Sequence, residues 1–125
     1  MSNGLAVGLL VLLGFAGAAA AQTESRYDGQ YTGELALVKV ADRHDCTAPP
    51  LGAVYPLTIS GGQVRFAYVP RFETTLTGTV DANGTFKAIA RIRKGTVQMT
   101  GAIQGYRLSA TIVSPSCRYT FQARR

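Results

Sequence analysis

The chain has 125 residues, 13 basic and 7 acidic side chains for a formal net charge of +6, one histidine, two cysteines and no tryptophan. That length holds one domain with a modest core. A lone histidine and a single cysteine pair offer too few ligands for a Cys/His metal site.

Residues 1–21 open with an apolar run from Leu5 to Ala21 and close on Ala19-Ala20-Ala21, the small-residue pattern of a signal-peptidase site. The run is slightly short for a spanning helix of about 20 residues. The spacing predicts a signal peptide cleaved before Gln22, with retention as an uncleaved anchor as the alternative, and one exported domain over residues 22–125. The N-terminal region lacks the usual basic residues before the apolar run.

Export places Cys46 and Cys117 in an oxidising compartment, where they have one pairing available. Closing the 71-residue separation contributes about 4 kcal/mol on the chain-entropy model. There is no Cys-x-x-Cys pair to suggest redox chemistry.

The remainder reads as strands. Residues 31–40 alternate Tyr31, Gly33, Leu35 and Leu37 against Thr32, Glu34 and Ala36. Residues 41–52, with Pro49-Pro50, form the longest irregular segment. Residues 54–60 and 63–69 flank Gly61-Gly62, a tight hairpin. Residues 72–81 and 85–93, the latter with Phe86, Ala88, Ala90 and Ile92 inward, flank an Asn83-Gly84 turn, and 96–104, 106–113 and 117–124 follow with apolar residues at every second position. No helical periodicity is sustained after residue 21.

Eight sequential strands with one apolar and one polar face predict an all-β fold, an eight-stranded antiparallel up-and-down meander closed as a small barrel. A two-sheet β-sandwich is the alternative. The polar face carries Arg65, Thr75, Thr77, Thr79, Lys87, Arg91 and Arg107, the reverse of a transmembrane barrel. Mid-strand Gly33, Gly78 and Gly101, each preceded by Thr, mark places where strands coil or approach closely.

Three constellations are candidates for function. Arg43-His44-Asp45-Cys46 gathers a histidine, a carboxylate and a cysteine, but adjacent side chains on an extended chain point apart, and a solvated loop anchored by the disulfide is the simpler reading. Tyr31, Tyr55, Tyr68, Tyr106 and Tyr119 are expected to face inward with Phe66, Phe72, Phe86 and Phe121, either as core or as hydroxyls lining a small-ligand site at the barrel mouth. Lys87, Arg91, Arg93, Lys94, Arg107 and Arg118 form a basic outer set suited to an anionic envelope component, or to solubility alone. From Ala82 onward there are 8 basic residues and no acidic one.

No paired carboxylates, serine-centred elbow or phosphate loop is present, so the chain reads as a non-enzyme without a cofactor. Nucleic acid is not an expected partner of an exported protein whose aromatics point away from its charges.

The segments Asp28-Gly29-Gln30-Tyr31-Thr32-Gly33-Glu34-Leu35, Leu76-Thr77-Gly78-Thr79-Val80 and Cys117-Arg118-Tyr119-Thr120-Phe121 resemble a group of small exported bacterial β-domain proteins of unassigned function. The resemblance covers most of residues 22–125 and implies export and a disulfide-closed β domain, with no activity attached. Avidins and lipocalins are similar only in strand count and order, and the absence of tryptophan departs from avidin-type biotin sites. The expected function is an exported binding protein holding a small ligand at the barrel mouth. The alternative is an envelope-associated protein in the periplasm or outside the cell, binding an anionic polymer or a protein partner through its basic face.

Overall fold

The computed structural model describes residues 24–40, 46–67 and 74–125. The expected signal segment, Tyr68, Phe72 and the Arg43-His44-Asp45 triplet lie outside these. After a short 3-10 turn (Glu24–Tyr27) come eight strands: β1 (Gly29–Val40), β2 (Val54–Ser60), β3 (Gln63–Ala67), β4 (Thr75–Val80), β5 (Thr85–Ile92), β6 (Gly95–Gln104), β7 (Arg107–Val113) and β8 (Cys117–Arg124). Each pairs antiparallel with its sequence neighbour, and β1 pairs with β8 to close the barrel. The meander is a closed barrel, not a sandwich.

Alternation alone builds the inside. Leu57, Ile59, Val64, Phe66, Leu76, Val80, Ala88, Met99 and Ile112 are all buried, and the residues between them face out. Phe66 and Phe121 meet across the interior with ring centroids 4.7 Å apart. Among the described residues no charged side chain is buried, and the buried side chains that carry a hydroxyl are those of Tyr31 and Tyr119.

The register fixes the girth. Following ladder partners from Gly29 through Ile59, Val64, Gly78, Ala88, Met99, Ile112 and Tyr119 leads back to β1 at Leu37, eight residues further along. A stagger of eight over eight strands, with a tilt of about 36°, is the narrow geometry whose interior is filled by side chains.

Two glycines permit that closure. A Cβ on Gly33 would stand 1.8 Å from the Gln122 carbonyl oxygen, and one on Gly78 would stand 1.7 Å from that of Lys87. Neither contact is tolerable, so β1 can coil against β8, and β4 against β5, only where a side chain is missing.

Ile92, expected inward, is 36 % exposed because β5 ends there and the residue has reached the rim. The disulfide joins Cys46 to Cys117 with Cα atoms 5.8 Å apart, tying the loop after β1 to the start of β8.

Candidate functional site: the two ends of the barrel

The antiparallel order gives the barrel two unlike ends. One holds both termini of the described chain and the hairpins after β2, β4 and β6. The other holds the disulfide, the loop before β2, the β5–β6 hairpin and the β7–β8 turn.

At the terminal end, charge is consumed by backbone. The Asp28 carboxylate accepts the Gly61 and Gly62 amides at 2.8 and 3.0 Å, fixing the β2–β3 hairpin. Asp81 accepts the Asn83 and Thr85 amides and the Thr85 hydroxyl. The Thr85 hydroxyl, more than the amides, holds the Asp81 carboxyl below its ordinary range. Arg125 donates to the carbonyls of Asp28 at 2.8 Å, Arg26 at 3.2 Å and Gly105 at 3.5 Å. Its guanidinium lies 5.5 Å from the Tyr31 ring centre and 5.9 Å from that of Tyr106. Arg26 donates to the Ala82 carbonyl at 2.7 Å. Tyr27, from the 3-10 turn, packs on the core and covers this end.

The tyrosines divide between the two ends. Tyr31 is fully buried, with its hydroxyl donating to the Tyr27 carbonyl at 2.8 Å. Tyr119 is buried near the disulfide and donates to the Thr47 carbonyl at 3.0 Å. Burial raises the pKa of both hydroxyls, and at Tyr31 the Arg125 charge opposes that rise in part. Tyr55 is half-buried near the start of β2.

Tyr106 is a correction to the expected inward set: it is 72 % exposed. Gln104 pairs with Arg107, so Gly105 and Tyr106 are the two residues of a hairpin turn, with Gly105 at φ 60° in the first position. The inward alternation of β7 therefore begins at Leu108, not Tyr106.

The six cations do not form one patch. Arg91, Arg93 and Lys94 stand at the end of β5 and in its hairpin, and Arg118 follows Cys117 at the start of β8 at the same end. Lys87 is four residues back from Arg91, about 13 Å down the wall. It lies in an outward row with Thr79, Thr100, Thr111 and Thr120. Arg107 belongs to the other end, opposite Arg124 in the ladder. The Lys87 row edges an open depression of about 740 Å³ on the outer wall.

Sequence reasoning missed a second property of the disulfide end. Val38, Leu51, Val54, Ile89, Ile92 and Val113 are exposed, and all belong to that half. Their signal was present in Ile89-Ala90-Arg91-Ile92-Arg93-Lys94, where an aliphatic residue occupies an outward position beside cations.

Among the described residues no three His, Cys, Asp or Glu side chains gather as a metal-binding group. Nor is any helix among them long and apolar enough to cross a membrane. Comparisons with family models, with curated proteins and with solved structures returned no match.

Proposed function

We propose that this is an exported, non-enzymatic interaction domain that binds an anionic component of the cell envelope through the rim at its disulfide end. Support comes from the segregation of charge. Arg91, Arg93, Lys94 and Arg118 share that rim, whereas the described Asp28 and Asp81 belong to the terminal end and Glu34 to the middle of β1. Like charges gathered at one rim repel one another slightly, and an anionic surface converts that repulsion into attraction. The disulfide agrees with a periplasmic or secreted location.

The test is retention of the disulfide-bonded protein on an immobilised soluble polyanion. Retention is expected to fall steeply with salt and to drop for Arg91→Gln/Arg118→Gln. Elution insensitive to ionic strength counts against the reading. A small ligand at the barrel mouth is the second reading, supported by the half-buried Tyr55 near the disulfide rim. A rise in melting temperature with small apolar ligands would support it.

A further inference from the structure

We infer that the open depression in the outer wall, across β4 to β8, binds the rings of an acidic saccharide. The inference goes beyond the rim at the disulfide end, with which it shares no residue. Every residue that lines the depression is among the described ones.

The wall sits low here for a steric reason. Gly101 and Ala110 are ladder partners, one without a side chain and the other with a single methyl. β6 therefore lies close over the Phe86 ring: a Cβ on Gly101 would stand 2.5 Å from Phe86 Cζ. Two outward rows make the floor, Thr85–Ala102–Ser109–Gln122 and Thr79–Lys87–Thr100–Thr111–Thr120. Thr111 and Thr120 are half-buried although they belong to the outer face. The volume of about 740 Å³ lies within the range of ligand pockets, roughly 300–1,000 Å³.

The chemistry of the floor matches a sugar. Threonine sets a methyl beside a hydroxyl that can donate or accept, and a sugar ring sets a C–H beside each hydroxyl in the same way. Ser109 donates to Gln122 Oε1 at 2.8 Å, which leaves the amide hydrogens of Gln122 for a ligand acceptor. A closed barrel offers a peptide no free edge, and no aromatic side chain faces outward in these rows for a base to stack on.

Charge narrows the class to a sugar acid. Lys87 stands on one side of the Ser109 row, and Arg107 and Arg124, ladder partners of each other, stand on the other side, each about 7 Å from it. Asp81, held by Asn83 and Thr85, and Glu34, the partner of Gln122 on β1, stand at the two ends of that row. A polyhydroxy acid has groups for both signs. Its hydroxyls donate to the carboxylates, and its own carboxylate lies between Arg107 and Arg124, relieving the repulsion of opposed like charges. A polymer of phosphate or sulfate alone meets Asp81 and Glu34 with nothing to donate.

Amide-resolved NMR titration of the disulfide-bonded protein tests the inference, with a galacturonate trisaccharide, neutral maltotriose and ringless citrate as probes. The galacturonate is expected to shift amides at residues 100–102 and 109–111, with weaker binding at high salt. Maltotriose should bind the same place several-fold more weakly, and citrate should leave those amides unmoved. Thr100→Val/Thr111→Val, which keeps β-branched side chains in the strands, should weaken galacturonate about tenfold. Lys87→Gln should weaken galacturonate several-fold and leave maltotriose unchanged. Arg91→Gln/Arg118→Gln, at the rim, should change neither. Thermal melts matching the parent establish that each variant folds, and Ser109→Ala replaces any that does not. Shifts confined to residues 91–93 overturn the wall site and support the rim. No shift with any probe overturns the wall site and leaves the rim to its column test. Equal binding of maltotriose overturns the acidic class, and equal shifts with citrate overturn the role of the rings.

Discussion

The two ends of this barrel contain similar residues put to opposite use. At the terminal end Asp28, Asp81, Arg26 and Arg125 all bond backbone groups: the carboxylates organise two hairpins and the arginines tie the 3-10 turn and the chain terminus to neighbouring loops. At the disulfide end the described loops are held by a covalent bond and by the Tyr119 hydroxyl on Thr47. What differs between the ends is the device that fixes the loops.

The largest effect is expected from removing the ends altogether. Gly33→Val places a side chain where the Gln122 carbonyl already stands, so β1 cannot close on β8. A loss of several kcal/mol in chemical denaturation is expected, enough to unfold a marginal domain. Stability within 1 kcal/mol of the parent would show that the wall can open around the site.

Next comes the covalent device. Cys117→Ser should cost about 4 kcal/mol and lower the melting temperature by about 15 °C or more. Hydrogen exchange should accelerate most at the start of β8 and in the loop before β2, and least around the Gly61-Gly62 hairpin. An equal acceleration at both ends would dissolve the contrast drawn here.

At the opposite end Arg125→Ala removes three hydrogen bonds to carbonyls and two ring contacts, and about 1–2 kcal/mol is expected to go with them. The polyanion affinity of the disulfide rim should be unchanged. Reduced retention would show that the two ends are coupled.

The smallest effect concerns acid. The folded-state pKa of Asp81 is lowered, so its contribution to stability is complete above the unfolded value of 3.8 and fades as pH falls through the lower folded value. Asp81→Asn should therefore flatten the acid limb of the stability curve slightly below pH 4. An identical limb in the variant would remove Asp81 from the account.

The strands and their inward faces were legible in the sequence because a period of two survives without knowledge of neighbours. Leu57, Phe66, Met99 and Phe121 lie where alternation puts them. Tyr106 was not legible in the same way: whether a residue beside a glycine continues a strand or occupies its turn depends on the Gln104–Arg107 pairing, a property of two strands together. The cations were legible as a basic C-terminal half, but their division between opposite ends required the register. The aliphatic rim escaped notice because Ile92 continues an inward series numerically and leaves it only where the strand ends.

The Arg125 guanidinium lies 2.8 Å from the Asp28 carbonyl, which places the last residue beside the first strand. A linker from Arg125 to the 3-10 turn would keep Tyr27 on the core, and the chain could be reopened at the Gly61-Gly62 turn, beyond the reach of the disulfide. All ladders except β2–β3 would then keep their loop connections, and that one would be assembled from the two new termini. Where the polypeptide starts is thus a detail of its synthesis, and a circular permutant should make the same wall.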